Sequence, residues 1–453
     1  MNATIVEEID HRPSVVALIG LLAGLAAGTA WWRGIFGVLA LVLLSRWRSR
    51  AVLAVAFGIG LGIVPRFDPP LTEPTWIAGT GVISGMPRLL VSGSRFTVQT
   101  TGAAYDVVSP GNTTVFALGD VVELQGLAKP PPEESRDYHA LNGLAGRVST
   151  REVRLVRRSD WPLMNAGLQF RNTFLRWSDS AFRPDTARLL QAMTVGTDSR
   201  LSERQYELLR RSGTIHMVSA SGFQVGVFAA AVGLLLTALP IPRIAQWGAL
   251  ALILVTYAFA AGFNAPILRA VIMALVPSLA YAIRRSPDTL SAWAIAGLGL
   301  VLAEPRTAFQ PGAQLSFFTV LAMIWWTEQS DSALATNLRT NAVATIASMP
   351  LLIVHFGQIN PVGFFANLLV AFPASSAVIT GLLGYAVESV LGATMAAPFV
   401  WVTAGLLGWC DLLMEWCAAT PISVIDVPPI WPEWMVAAGL MAMALRPVRR
   451  RDA

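Results

Sequence analysis

Long apolar runs separated by short polar turns fill most of the chain, and the length of these runs predicts helices that cross a lipid bilayer. Three runs come first, at about 14–30, 34–44 and 51–64. Nine more follow near 213–238, 246–262, 265–283, 289–303, 312–326, 340–356, 362–386, 393–418 and 430–446. A helix needs roughly 17–25 mainly apolar residues to span a membrane. The pattern therefore predicts a polytopic α-helical membrane protein of about twelve spans.

The pattern changes between about Thr75 and Val156. Stretches such as "RFTVQTTGAAYDVV" and "TTVFALGDVVELQG" alternate apolar and polar residues and are bounded by Gly and Asn, which is typical of β-strands and turns. The segment predicts a small all-β domain of about five strands that resembles an OB barrel. Within it, "AKPPPEESRDYHALNG" predicts a polar loop.

A third texture follows the β segment. Residues 162–211 have a helical pattern without being apolar throughout, and Phe170, Phe174 and Trp177 recur at helical spacing among arginines. Two interpretations fit equally: a helix lying in the membrane interface, or a helix packed on the β domain.

The predicted organisation has five parts. They are N-terminal transmembrane helices (1–64), an extracytoplasmic β domain (65–160), amphipathic or interfacial helices (161–211), a second transmembrane domain (212–446) and a basic cytoplasmic tail (447–453).

Composition supports the membrane assignment, and arginine orients the chain. Only 13% of residues are charged, against roughly 25% in ordinary soluble domains. The clusters at 46–50, 284–285 and 446–451 all fall on the cytoplasmic side if the N-terminus is cytoplasmic. The β domain then faces outward. The first apolar run lacks a clear cleavage site, so we expect it to remain as a helix in the cell membrane.

Polar residues inside the apolar runs are candidates for function, because burying them in hydrocarbon is costly. The set comprises His216, Ser219, Ser221, Gln224, Asn264, Arg269, Gln314 and Asn367. Arg269 lies five residues into a run, where it either lines a pore or a structural pair, or extends to the interface. The alternative for the serines is close helix packing.

Catalytic patterns are missing from the sequence. The four histidines have no metal-binding spacing, and the single lysine, Lys129, excludes a phosphate-binding loop of the G-x-x-x-x-G-K-[ST] type. Cys410 and Cys417 lie seven apart in one apolar run and are expected to be packing residues. We therefore expect no enzyme activity, no cofactor and no metal site.

Three stretches resemble the ComEC-type competence proteins. They are "LLQAMTVGTDSRLSERQYELLRRSGTIHMVSASGFQVG" (189–226), a region at 265–324 that contains "APILRA" and "QLSF", and "MPLLIVHFGQINPVGFFANLL" (349–369). The resemblance covers roughly 189–370. The sequence differs from the family pattern at Gln224, where the family has a histidine. It also shows no metallo-β-lactamase-like segment after the last apolar run, although many relatives carry one.

The resemblance implies a channel that passes single-stranded DNA across the cytoplasmic membrane during natural transformation. The polar set above would then line the DNA path, and arginines of the β domain would bind DNA: Arg88, Arg95, Arg147, Arg151 and Arg154. The implied partners are membrane lipids, an extracytoplasmic DNA receptor, a cytoplasmic ATPase or helicase and a separate nuclease. Two rival hypotheses stay open: a secondary transporter of a small anion or lipid precursor, and a degenerate membrane scaffold without transport.

Overall fold

The computed structural model describes residues 12–29, 56, 59–60, 70–85, 87–90, 93–110, 116–218, 222–327 and 332–427. The chain divides into two compact units. The first comprises residues 1–65, 276–359 and 424–453, and the second comprises residues 66–275 and 360–423. The predicted spans at 34–44, 51–64 and 430–446 fall almost entirely outside the described residues.

The second unit begins with a small β-barrel-like region. Its seven strands are β1 (Thr75–Ile83), β2 (Arg88–Leu90), β3 (Gly93–Gln99), β4 (Ala104–Pro110), β5 (Val121–Lys129), β6 (Leu144–Ser149) and β7 (Val153–Arg157). Five of them close into a ring in the order β1-β3-β4-β6-β5, because β5 pairs back with β1. Only the β4–β6 pair of this ring is parallel. β2 extends β3, and β7 extends β5.

The interior of the ring follows from the alternation in sequence. Along β5, Val122, Leu124, Gly126 and Ala128 are buried, whereas the residues that alternate with them face outward. Successive side chains of a strand point to opposite faces, so each strand contributes every second residue to the core. Phe96 and Phe116 fill the centre, with ring centroids 4.8 Å apart. The prediction of strand structure here is confirmed.

The prediction of a polar loop at "AKPPPEESRDYHALNG" was wrong in part. A ten-residue helix, α2 (Glu133–Asn142), lies between β5 and β6. Proline fixes φ at a value that suits a helix start, and Pro132 precedes the first turn. Gly143 ends the helix in the left-handed region, at φ 65°. The sequence pattern missed the helix because most of its residues are polar.

Eight further helices belong wholly or partly to the second unit. They are α3 (Pro162–Ala181), α4 (Pro184–Val195), α5 (Glu203–Arg211), α6 (Gly222–Thr237), α7 (Arg243–Ala260), α8 (Ala265–Ala282), α12 (Gly363–Leu391) and α13 (Ala393–Ala418). The main core is formed by α3, α4, α12 and α13, with Leu190, Val370 and Leu407 at its centre. Helix α8 continues into the first unit from residue 276.

Helix α3 contacts the β region, as one of the two interpretations of the sequence predicted, and also packs against other helices. Met164 in its first turns packs with Ala117 of the β region and with Phe259 of α7. Farther along, the Trp177 indole donates a hydrogen bond to Glu388 of α12 (2.7 Å), and its ring packs on Tyr385. Most of the buried face of α3 therefore lies against helices.

The first unit contains α1 (Pro13–Thr29), α9 (Thr289–Ala303), α10 (Pro311–Trp326) and α11 (Ala333–Phe356), together with a short pair of strands, β8 (Gln358–Ile359) and β9 (Ile425–Asp426). Arg12 donates to Asp288 at 2.9 Å, which fixes the start of α1 beside the start of α9. Gly297 lets Leu18 approach, because a Cβ there would lie 2.7 Å from a Leu18 methyl group.

The structure is mainly helical, as predicted, and several of its helices suit a membrane. Four described helices are long and apolar enough to cross a bilayer: α7, α8, α12 and α13. Shorter apolar helices occur within α1, α6 and α9. Large apolar side chains face outward on the long helices, with Trp401 77% and Val390 81% exposed. Such a surface is stable in contact with lipid but not with water.

We predict that Gly167→Ala destabilises the contact between α3 and α7, whereas Gly248→Ala does not. A Cβ at Gly167 would lie 2.6 Å from the Thr256 carbonyl oxygen and 2.8 Å from the Phe259 Cβ, while Gly248 on α7 has open space. Overpacking costs about 1–3 kcal/mol, and Ala is favoured over Gly in a helix by up to about 1 kcal/mol. Thermal unfolding of the purified protein in detergent should show a lower Tm for Gly167→Ala only. Equal melting of the two variants would contradict this packing.

Candidate functional site

The polar stretch "SGTIHMVSASGFQVG" begins with a helix stop. At the end of α5 the Thr214 amide donates to the Leu209 carbonyl (3.0 Å), and the Gly213 amide donates to the Arg210 carbonyl (3.2 Å). Gly213 has φ 74°. This is the Schellman arrangement, which requires a left-handed residue and favours glycine. The predicted span start at 213 was wrong: α6 begins at Gly222, after a single 3₁₀ turn (Ile215–Met217).

The helix stop is held by one asparagine. The Asn360 Nδ2 group lies 3.1 Å from the Arg210 carbonyl oxygen, 3.4 Å from that of Arg211 and 3.0 Å from that of Ser423. The last carbonyls of a helix have no partner within the helix. The Arg210 carbonyl also accepts from the Gly213 amide, so the Asn360 amide matters most for the Arg211 and Ser423 carbonyls. We call these four residues the Asn360 junction.

The junction brings together two stretches that the sequence singled out separately. A Cβ on Gly213 would lie 3.1 Å from the Asn360 Cβ and 3.0 Å from the Gly363 Cα. The "SGT" and "INPVG" stretches therefore touch through backbone that only a glycine permits. The Arg211 side chain closes the other side by donating to the Ser423 hydroxyl at 3.3 Å.

Three members of the predicted polar set follow the junction in the second unit. His216 is accessible, and its ring hydrogen-bonds to the Gly213 backbone. Gln224 and Arg269 are buried, at 2% and 5% exposure. Gly222 admits the Arg269 guanidinium, whose Nη2 lies 2.5 Å from where a Cβ would stand. Arg269 thus lies against the start of α6 and does not extend to the surface. Ser219 and Ser221 lie outside the described residues.

The remaining members of the predicted polar set, Asn264, Gln314 and Asn367, lie in separate places and differ in their hydrogen bonding. The Asn264 Oδ1 accepts from the Ile267 amide (3.1 Å) and so caps α8. In the first unit, the Gln314 amide nitrogen donates to the Ala308 carbonyl (3.0 Å), while its oxygen lies 2.7 Å from His355 Nε2. The Asn367 Oδ1 on α12 is buried without a hydrogen-bond partner among the described residues.

One buried polar network was missed by sequence reasoning. Gln191 on α4 is fully buried, and its amide nitrogen donates to the Ser178 hydroxyl (2.8 Å) and to Asp179 (2.7 Å). Its oxygen accepts from Arg200 at 2.6 Å. The network fixes the turn after α4 onto α3. The available signal was a lone glutamine in the apolar run "LLQAMTVG".

The β domain places two of the predicted arginines around one carboxylate. Arg95 donates to Asp106 through Nε (2.8 Å) and Nη2 (3.0 Å), and Arg147 donates through Nε (2.8 Å). Asp106 is 3% exposed. Burial disfavours its charge, but the hydrogen bonds from the two arginines outweigh burial and hold the pKa of Asp106 below its usual value. The same hydrogen bonds raise the pKa of Arg95.

The neighbourhood of Asp106 also holds an aromatic pair from α2. His139 is fully buried, with Nδ1 2.8 Å from the Ser135 carbonyl oxygen and Nε2 3.8 Å from Asp106. The adjacent Tyr138 is 53% exposed and meets the His139 ring edge to face at 5.8 Å. Neither residue was assigned to a site from the sequence.

The other predicted arginines of the domain stand in different settings. Arg151 and Arg154 line a shallow depression together with Glu123 and Glu152. Arg154 on β7 is opposite Glu123 on β5 in the strand register. These carboxylates offset part of the positive charge. Arg88 lies opposite Arg95 in the β2–β3 pairing.

Metal ligands and reactive thiols do not form a centre in the described ranges. No three His, Cys, Asp or Glu side chains come together there as ligands. Cys410 and Cys417 are buried free thiols on α13.

Comparison with known proteins assigns this sequence to a family. A sequence profile of the competence protein family matches residues 193–451, which is more than half of the chain. The chain belongs to the competence protein family. The match begins in α4 and includes the Asn360 junction, Gln224 and Arg269, so these features lie within the family domain of this competence protein. The ComEC-type resemblance noted from the sequence is confirmed.

Two curated relatives extend the comparison. The competence-family chain is 25% identical over 263 residues to ComE operon protein 3 of Bacillus subtilis, covering 57% of this chain and 33% of the relative. It is 28% identical over 436 residues to competence protein ComA of Neisseria gonorrhoeae, covering 91% of this chain and 57% of the relative. The chain thus spans about a third of the length of the Bacillus subtilis relative and somewhat over half of the length of the Neisseria gonorrhoeae relative. No solved structure matches it significantly.

We predict that Asn360→Ala lowers the stability of this competence protein. The substitution removes the Nδ2 donor from the Arg211 and Ser423 carbonyls, whereas the Arg210 carbonyl keeps the Gly213 amide. An unsatisfied buried polar group costs about 1–3 kcal/mol. Asn165→Ala is the matched control, because the Asn165 amide serves one carbonyl, that of Ser159. Thermal unfolding in detergent should show the larger loss for Asn360→Ala. A Tm equal to that of wild type would contradict the role assigned to Asn360.

We also predict an acid-sensitive contribution from Asp106. Its folded-state pKa lies below the unfolded value of about 3.9. The ion pairs therefore contribute fully above that pH and are lost as pH falls through the folded-state pKa. The Tm of wild type should consequently decline more steeply on acidification than that of Asp106→Asn. Parallel pH profiles of the two proteins would contradict the prediction.

Proposed function

We propose that this competence-family protein is a channel through which single-stranded DNA crosses the cytoplasmic membrane during natural transformation. The observation that carries the proposal is the family match over 193–451, together with the competence name of the Neisseria gonorrhoeae relative. The buried Gln224 and Arg269 inside the matched domain support it, because polar groups at membrane depth mark transport pathways.

The β domain supports a role in receiving the strand. The ring order β1-β3-β4-β6-β5, with β4–β6 as its one parallel pair, is consistent with an OB-like barrel. OB folds bind single strands on the face of their second and third strands and in the adjoining loops. In this ring the corresponding strands are β3 and β4, which carry Arg95 and Asp106.

The proposed topology has twelve spans with the N-terminus in the cytoplasm. The Arg12–Asp288 ion pair supports it, because it places the start of α1 and the start of α9 at one end of their unit. The pair of arginines at 284–285 then lies on the cytoplasmic side, as the excess of Arg in cytoplasmic loops requires. Alternating spans put the β domain outside the cell.

The proposed path combines one arginine with neutral donors. Arg269 attracts phosphate, and His216, Ser219, Ser221, Gln224, Asn264, Gln314 and Asn367 pass it along. Conduction needs sites that bind weakly and repeatedly, and a row of strong ion pairs would trap a polyanion. Gln224 fits this role because its amide donates hydrogen bonds and stays uncharged at any physiological pH.

The channel is proposed to be passive and without a cofactor, so other proteins must drive transport. The proposed partners are an extracytoplasmic DNA receptor, a cytoplasmic ATPase or helicase and a separate nuclease. The two rivals, a secondary transporter of a small anion or lipid precursor and a scaffold without transport, predict normal DNA entry when the gene is deleted.

The experiment is to delete the gene and follow labelled DNA, scoring cytosolic entry separately from surface binding. We expect surface binding to persist and entry to be lost. Normal entry in the deletion strain would overturn the channel. Complementation with Arg269→Ala and His216→Ala should restore membrane insertion but reduce entry.

The expected reduction for Arg269→Ala is about tenfold or more, since a hydrogen bond to a charged group contributes about 1.5–3 kcal/mol. Arg176→Ala, at an exposed position on α3, is the matched control and should support wild-type entry. Equal entry by the Arg269 variant and this control would remove Arg269 from the path.

A further inference from the structure

The outer face of the β ring carries an ordered group of charges. Asp106 on β4 is paired with Thr97 on β3 and with Arg147 on β6. Paired residues share a face, as do residues two apart on one strand. Arg95, Asp106 and Arg147 therefore stand side by side on the outside, opposite the core face formed by Phe96, Val107 and Val148.

The hydrogen bonds leave both guanidinium groups partly available. Asp106 takes the Nε and Nη2 groups of Arg95 and only the Nε group of Arg147. A guanidinium has five N–H donors, so each arginine keeps donors beyond those that Asp106 uses. Both side chains are 36% exposed. Two positive charges against one carboxylate leave the group positive.

An exposed ring stands beside these donors. Tyr138 on α2 is 53% exposed and lies near Arg95. Its backbone is fixed by the next residue, His139, which is fully buried against Asp106. A fixed, exposed tyrosine is a platform on which an unpaired base stacks.

We propose that Arg95 and Arg147, held in place by Asp106, clamp a backbone phosphate of single-stranded DNA while Tyr138 stacks on a neighbouring base. Asp106 is the positioning residue: it fixes both forks so that their remaining donors converge on one anion. Arginine suits this task because its planar fork matches phosphate bidentately. The proposal rests on the proposed function, in which single-stranded DNA is the cargo.

The clamp makes a prediction opposite to that of simple charge attraction. Asp106→Asn removes a negative charge, so attraction alone predicts tighter binding of DNA. The clamp predicts weaker binding, because both arginines lose the carboxylate that orients them. Glu123→Gln is the matched control: it removes the same charge from the same domain, beside Arg154, without touching the clamp.

The experiment measures anisotropy of a fluorescein-labelled oligo(dT) with the full chain in nanodiscs of zwitterionic lipid. We expect Asp106→Asn to raise Kd by about tenfold, and Glu123→Gln to leave it unchanged or lower it. Arg95→Lys and Arg147→Lys keep the charge and lose the fork, and each should raise Kd. Tyr138→Ala should weaken binding, whereas Tyr138→Phe should not.

Two further readouts separate the clamp from a structural role. In a salt titration, Arg147→Ala should flatten the slope of log K against log salt by about 0.7, the loss of one phosphate contact on a single strand. The Tm of each variant is measured in parallel. If Asp106→Asn does not fold, the Lys variants and Tyr138→Ala carry the test.

Several results would overturn the clamp. One is a folded Asp106→Asn protein that binds oligo(dT) as tightly as wild type or more tightly. Others are duplex DNA binding equal to that of oligo(dT), or oligo(dT) binding no stronger than to empty nanodiscs. These results concern only the binding of oligo(dT), whereas the channel is tested by DNA entry in the deletion strain. Failure of the clamp and failure of the channel are therefore distinguishable.

Discussion

The last carbonyls of a helix have no partner within the helix, so other groups must satisfy them where the helix ends inside the protein. The Asn360 junction meets this constraint at the end of α5, before the chain enters α6. One side-chain amide serves the carbonyls of Arg210, Arg211 and Ser423. Gly213 supplies both the left-handed turn and the clearance for Asn360. The residues of the Asn360 junction therefore hydrogen-bond to one another without any ligand.

The same constraint gives the candidate path residues different roles. Asn264 caps α8, and Gln314 binds a carbonyl in the turn before α10 as well as His355. Arg269 and Gln224 are buried in the second unit without extending to its surface. Polarity within an apolar run thus has two sources in this protein: the repair of helix ends, and groups that the bundle keeps inside. The second kind is the stronger candidate for transport.

Hydrophobic periodicity was enough to predict much of the fold. The helices at 289–303 and 393–418 have the predicted bounds, because apolar runs stop where polar caps begin. Alternation likewise predicted the strands. It failed where local geometry decides: Gly213 ends α5 instead of opening a span, and α2 forms between prolines and Gly143 from polar residues. Long-range pairs such as Gln191 with Arg200, or Asp106 with two arginines, follow from tertiary contact and leave no periodic signal.

Charge arrangement, more than charge total, distinguishes the β domain. Residues 75–158 contain nine basic and seven acidic side chains, so the net attraction for a polyanion is weak. Arg151 and Arg154 share a depression with two glutamates, whereas Arg95 and Arg147 share a single buried aspartate. The number of arginines in the sequence does not distinguish these two sites. Their carboxylate neighbours in the structure do.

Transport of the strand itself is the central claim, and reconstitution tests it most directly. Purified protein is placed in liposomes that enclose a single-strand-binding protein, which supplies the pull, and fluorescent single-stranded DNA is added outside with a later nuclease step. The account predicts nuclease-protected DNA inside vesicles with wild-type protein and much less with Arg269→Ala. Protection no greater than in protein-free vesicles would contradict it.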